Sequence, residues 1–137
     1  MALPNGAGGY QLGDGNLNEV TFENTPTPLS ITATATLTPA QLANGLILAN
    51  SGITAAQTYT LPTVTDLEAE FTNFDKIGST FLFRLVNLGT SSGTAIVAAG
   101  TGWTVSGSLT MTVPVSTGAV FVARKTTSTT WTLYRTS

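Results

Sequence analysis

The chain has 137 residues, 42% of them hydrophobic, which is enough for one core and one domain of ordinary size. Only 9% of the residues are charged, against about a quarter in typical soluble domains, and the net charge is −2. The five basic residues, Lys76, Arg84, Arg124, Lys125 and Arg135, are too few and too scattered for a nucleic-acid partner, and the lack of cysteine and histidine excludes disulfides, thiolate metal sites and the commonest general base.

The first 28 residues are rich in Gly, Asn and Pro, which disfavours a helix, yet they carry spaced apolar residues at Leu3, Tyr10, Leu12, Leu17, Val20 and Phe22. A solvated tail does not need such residues, so residues 1–28 read as an extended N-terminal arm that lies along another subunit or protein. Pro26 and Pro28 form a stiff spacer, and residues 29–137 follow as the body. Ile31, Ala33, Ala35 and Leu37 alternate with threonines, the pattern of one half-buried strand. Thr38-Pro39-Ala40-Gln41, with Gly45 beyond, predicts a short capped helix. Leu46 to Ala49 can extend, Asn50-Ser51-Gly52 is a turn, and Tyr59-Thr60-Leu61 is a short strand stopped by Pro62. Thr65-Asp66-Leu67-Glu68 reads as a capping box for a second helix, with Val64, Leu67, Phe71 and Phe74 at helical spacing.

From Ser79 onward the chain reads as strands over roughly 80–88, 94–99, 103–106, 108–115, 119–126 and 130–136, separated by glycine-bearing turns. Phe81 to Leu88 and Ala119 to Ala123 are nearly continuous apolar runs, as expected of strands covered on both sides, and a second subunit is one possible cover. Phe81, Phe83, Leu85, Val120 and Val122 are therefore the expected subunit-interface residues. The fold class is all-β, a β-sandwich or jelly-roll-like domain with two short helices, preceded by the arm. No basic segment leads into an apolar one at the N-terminus, and no apolar run approaches the roughly 20 residues of a membrane span, so a soluble, unprocessed chain with no membrane partner is expected.

Four patterns invite a chemical reading, and a plainer one fits each better. Gly89-Thr90-Ser91-Ser92-Gly93 matches the nucleophile-elbow pattern but joins two strands in a chain without histidine, so it reads as a hairpin loop. Asp14 to Asn18 begins like a calcium loop, but Glu19 stands where glycine is required and Thr25 where glutamate is. Asp66, Glu68, Glu70 and Asp75 lie on or beside one helix and do not face each other across a cleft. Tyr59, Trp103, Trp131 and Tyr134 would stack on sugars only if they shared an exposed face, and core or interface packing is their commoner use. No cofactor, no metal and no enzymatic activity are expected.

In Gly6-Ala7-Gly8-Gly9-Tyr10-Gln11, Leu12 to Glu19, Leu37-Thr38-Pro39-Ala40-Gln41-Leu42, Tyr59-Thr60-Leu61-Pro62, Gly78 to Asn87, Ala99-Gly100-Thr101-Gly102-Trp103 and Trp131 to Arg135, the chain resembles capsid decoration (cement) proteins of tailed bacteriophages and related head-fibre modules. The resemblance implies a homotrimeric β-domain on the outer surface of a virion whose arms tie neighbouring copies of the major capsid protein together. Leu3, Tyr10, Leu12, Asp14, Leu17, Val20 and Phe22 are then the capsid-binding residues of the arm. The rival reading is a receptor- or carbohydrate-binding head-fibre or tail-fibre domain with a host glycan as partner.

Overall fold

A computed structural model of the chain describes residues 25–74, 76–106 and 111–137. The arm residues Leu3, Tyr10, Leu12, Asp14, Leu17, Val20 and Phe22 lie outside the described residues, as do Asp75 and residues 108–110 of one expected strand.

Parallel neighbours in a sheet cannot be joined by a tight turn, and this chain makes the return journey through a second sheet. β1 (Leu29–Ile31), β3 (Leu46–Ala49) and β5 (Thr80–Asn87) lie parallel and side by side in one sheet. The strand after each, β2 (Ala35–Thr36), β4 (Gln57–Thr60) and β6 (Ala95–Ala98), lies parallel to its counterparts in the other. Three successive coils are thus stacked on one another. β7 (Trp103–Ser106), β8 (Thr112–Val113), β9 (Gly118–Lys125) and β10 (Trp131–Arg135) close the two sheets. β8 runs antiparallel to β6, β9 to β5 and β10 to β9, while β7 pairs parallel with β10. The larger sheet has the order β1-β3-β5-β9-β10-β7 and the smaller β2-β4-β6-β8. A jelly roll is built from antiparallel strands in Greek keys. The described residues show a mostly β domain of two sheets with two short helices, in which five strand pairs are parallel.

The single strand expected over Ile31 to Leu37 is instead two, β1 in the large sheet and β2 in the small one. The alternation carries on through the corner, but Ala33 and Ala35 are exposed, and the Thr34 N–H and hydroxyl both donate to the Gln57 side chain, at 2.7 and 2.8 Å. The hairpin expected at Gly89 to Gly93 is likewise a passage between sheets, because β5 and β6 belong to different ones.

Helix α1 (Pro39–Ala43) and helix α2 (Val64–Glu70) occupy equivalent places, each between a strand of the small sheet and the next strand of the large one, and they contact each other. α1 carries the predicted capping box: Thr38 Oγ1 accepts from Gln41 N at 3.2 Å and Gln41 Oε1 from Thr38 N at 2.9 Å. Gly45 follows at φ 87°, in the left-handed region that suits glycine. α2 starts earlier than expected, with Thr63 as its cap, its hydroxyl accepting from Asp66 N at 3.0 Å. Starting there buries Val64 and Leu67 and lets Val64 N donate to the Thr101 carbonyl, whereas Thr65 is exposed.

The inner faces of both sheets share one core. Ile47, Phe83, Leu85, Phe121, Ala123, Trp131 and Leu133 come from the large sheet, Tyr59, Ala95, Val97 and Val113 from the small one. Phe83 stacks on Phe121 with ring centres 5.1 Å apart, and Trp131 lies 5.6 Å from Phe81 and 5.9 Å from Trp103. Where the chain leaves the large sheet, burial of backbone polar groups is compensated by side chains. Asn50 Nδ2 donates to the Gly93 and Thr94 carbonyls (2.7 and 3.0 Å), and Asn87 Nδ2 to those of Gly93 and Val113 (3.0 and 2.8 Å). Asn87 Oδ1 accepts from Gly89 N at 2.8 Å, and the Tyr59 hydroxyl donates to Asn50 Oδ1. Burial pushes the Tyr59 hydroxyl above its ordinary pKa, opposed in part by the backbone of Asn50. Gly93 sits so close to the 53 carbonyl that an added Cβ would stand 2.3 Å from Ile53 O.

Two substitutions test this corner. Asn87→Ala strands buried hydrogen-bonding groups and should lower the free energy of unfolding by about 2–3 kcal/mol. Gly93→Ala should cost at least as much, by forcing backbone apart. Urea titration followed by tryptophan fluorescence reads both, and stabilities within about 0.5 kcal/mol of the parent would contradict the account.

Candidate interaction surface

Alternation along a strand gives the large sheet two faces of different fates. Phe83, Leu85, Phe121 and Ala123 point inward and are buried. Their neighbours point outward and align in register: Leu46 beside Arg84 and Val120, Leu48 beside Val86, and Leu82 beside Val122 and Tyr134. Leu82 is 48% exposed, Arg84 is exposed, and Leu46, Leu48, Val86, Val120, Val122 and Tyr134 are half-buried. This outer face is apolar across the four strands β3, β5, β9 and β10. Two arginines punctuate it, Arg84 near its middle and Arg124 towards one end, and among the described residues neither makes an ion pair.

The residues expected at a subunit interface are divided by this geometry. Phe83 and Leu85 are 0% and 1% exposed and belong to the core, and Phe81 packs against it. Of the five, Val120 and Val122 stand on the outer face, where Leu82 and Arg84 take the places sequence reasoning assigned to their neighbours. The near-continuous apolar run of β5 conceals which side is which, and register with β9 resolves it.

At the β3–β5 side of the face is a cleft of about 450 Å³, lined by Thr25, Pro26, Asn44, Gly45, Leu46, Leu82 and Arg84 among others. Asn44 Nδ2 donates to the Thr27 carbonyl at 3.0 Å, fixing the described start of the chain beside the cleft. The Asn44 side-chain oxygen is buried and has no partner among the described residues. Asn44 stood in the sequence only as the residue before a helix-ending glycine, so nothing there marked it.

The other sequence candidates resolve into structure. Tyr59, Trp103 and Trp131 are in the core, leaving Tyr134 alone of the four aromatics on the outer face. Asp66 and Glu70 are exposed on α2. Glu68, expected to cap that helix, reaches across to β9 and β10, where Lys125 Nζ lies 2.6 Å and Trp131 Nε1 2.8 Å from Glu68 Oε2. Lys125 is buried and Glu68 about a quarter exposed. Burial alone would raise the pKa of Glu68, but the hydrogen bonds from Lys125 and Trp131, together with the lysine charge, hold it below the ordinary carboxylate range. Among the described residues no three or more Asp, Glu, His or Cys side chains group to hold a metal ion, and no helix is long and apolar enough to cross a membrane.

No protein-family model matches the chain, and no curated protein or solved structure matches it.

A carboxylate held below its ordinary pKa stabilises the fold at pH above the unfolded value, about 4.3, and loses that contribution as pH falls through the folded value. Glu68→Gln should therefore lower stability by roughly 2–3 kcal/mol at pH 7, because it leaves the buried Lys125 without its counter-charge, and should flatten the loss of stability between pH 5 and acid. Combining it with Lys125→Met should recover part of the loss. Thermal unfolding across that pH range checks all three.

Proposed function

We propose that the protein is a non-enzymatic virion subunit that decorates and stabilises a bacteriophage capsid from its outer surface. The observation that carries this reading is the apolar outer face of the large sheet, in a charge-poor chain, with Thr25 and Pro26, at the end of the arm read from the sequence as residues 1–28, lining the cleft beside it. A surface with few charges loses little solvation energy when covered, so such a body is suited to permanent association. The body is read as a β-sandwich that forms a homotrimer by head-to-tail contacts, in which Val120 and Val122 meet a different surface of the neighbour. The N-terminal segment would clamp the major capsid protein, its backbone adding to sheet edges and Leu12, Leu17, Val20 and Phe22 filling pockets. Binding the assembled shell in preference to loosened states stabilises it by mass action.

Co-sedimentation with undecorated heads tests the proposal. Phe22→Ala should weaken attachment by about 2–3 kcal/mol, the worth of burying a large aromatic ring, and Glu23→Ala by under about 1 kcal/mol. The affinity should change little between low and moderate salt. A larger effect of Glu23→Ala that grows as salt falls would make the clamp electrostatic. A full chain that does not sediment with heads but binds an immobilised glycan would replace decoration with receptor recognition.

A further inference from the structure

The two edges of β5 are covered to different extents. β9 pairs with it from Thr80 to Val86, whereas β3 pairs only from Arg84 to Asn87. Backbone groups of a strand point alternately to its two neighbours. Asn87 N donates to the Thr117 carbonyl on the β9 side, while Arg84 N donates to the Gly45 carbonyl and Leu88 N to that of Ala49 on the β3 side. The N–H and carbonyl of Leu82, two residues before Arg84, therefore also point to the β3 side. There β3 has not yet begun, because the chain before Leu46 is still leaving α1. Leu82 is 48% exposed, so this stretch is an open sheet edge.

Two cavities meet at that edge, and Ala43 and Leu82 line both. One is the cleft of about 450 Å³ that also touches Leu46 and Arg84 of the outer face. The other, of about 100 Å³, is lined otherwise by Leu67, Phe71 and Phe81, which belong to the core or pack against it. An extended chain lying beside Leu82 would send successive side chains to opposite faces of the sheet. One of them enters the small apolar cavity, which has room for a leucine side chain. The next stands on the outer face beside Leu82 and diagonal to Arg84, within reach of a long side chain. Arg84 is exposed and makes no ion pair among the described residues, so a carboxylate is the complement it lacks.

We propose that the Leu82 edge of β5 is a docking site for an extended segment of another protein, which adds to the large sheet as a strand, places an apolar side chain in the small cavity and sets the adjacent carboxylate against Arg84. Backbone pairing supplies the affinity, and the cavity and the arginine supply the selectivity. The inference goes beyond decoration, since here the body receives a segment from its partner.

The probe is acetyl-Thr-Leu-Glu-Leu-Thr-amide, whose central glutamate is flanked by leucine on both sides, so that either strand direction puts leucine inward and glutamate outward. In the full chain without probe, the Leu82 amide should exchange with solvent roughly a hundredfold faster than the Arg84 amide, which is bonded to Gly45. The probe should shift the Leu82 amide resonance saturably, with a Kd on the order of 1 mM, and slow its exchange. Methylating the three central nitrogens of the probe should abolish binding. Arg84→Gln should weaken the probe about threefold, as should glutamine in place of its glutamate, and the two changes together should weaken it no further. A Leu82 amide already protected in the protein alone overturns the proposal: protection independent of concentration would mean that the chain fills its own edge, and protection that grows with concentration that a second copy does. So does a probe that leaves this amide unmoved at about 10 mM, that binds equally well when methylated, or that is indifferent to Arg84. None of these outcomes involves attachment to heads, so a failure here leaves the decoration reading standing.

Discussion

The buried carbonyl oxygen of Gly93 accepts from two asparagine side chains, Asn50 at 2.7 Å and Asn87 at 3.0 Å, and the winding of the chain depends on that arrangement. A chain that crosses repeatedly between two sheets must turn out of the hydrogen-bonded ladder at each crossing, and the backbone groups freed there are buried between neighbouring coils. Unpaired, each would cost on the order of 1–3 kcal/mol. Asn50 follows β3, Asn87 ends β5, and Tyr59 reaches from β4 to bond Asn50, so three strands from both sheets are fastened at one corner. The close approach of Gly93 to the Ile53 carbonyl leaves no room for a side chain there. The GxSxG spacing in this chain is thus explained by packing at a corner.

A second fastening lies at the helical end. Glu68 joins α2 to β9 and β10 through Lys125 and Trp131, and the ring of Trp131 continues the contact into the aromatic cluster with Phe81 and Trp103. The pair is isolated within a chain of low charge, and its geometry is demanding because the lysine is buried. The two corners differ in chemistry. One is neutral and indifferent to acid; the other depends on the ionisation of a single carboxylate.

Local signals were the legible ones. The Thr38-Pro39-Ala40-Gln41 cap, Gly45 in the left-handed region, the turn at Asn50 to Gly52 and the approximate positions of the strands after Ser79 other than 108–115 follow from residue chemistry acting over four or five positions, and the structure agrees with them; of 108–115 only Thr112–Val113 is a strand among the described residues. Pairing between distant segments was not legible. Alternation from Ile31 to Leu37 has the same appearance whether one strand continues or two strands in different sheets meet at a corner, and Thr34 is drawn out of line by Gln57, 23 residues away. Parallel stacking leaves no mark in any one strand. The cap of α2 fell to Thr63 over Thr65 because burial of Val64 and Leu67 outweighed a local motif. Within the candidate surface, Val120 and Val122 were found, but Leu82, Arg84 and Asn44 were not, since facing direction in an apolar run becomes visible only from its partner strand.

The stacked coils are unequal. The first comprises a three-residue strand and a two-residue strand, the latter wholly exposed, whereas the third is built on the eight residues of β5 paired along both edges. In a stack where each coil rests on the next, resistance to opening rises from the outermost turn inward. A pull on the chain at Thr25 would therefore load β1 and β2 first, and it would reach the asparagine corner only through the Ile31 carbonyl, which accepts from Asn50 N at 2.8 Å and the Tyr59 hydroxyl at 3.2 Å, so the fold gives way by steps and not all at once.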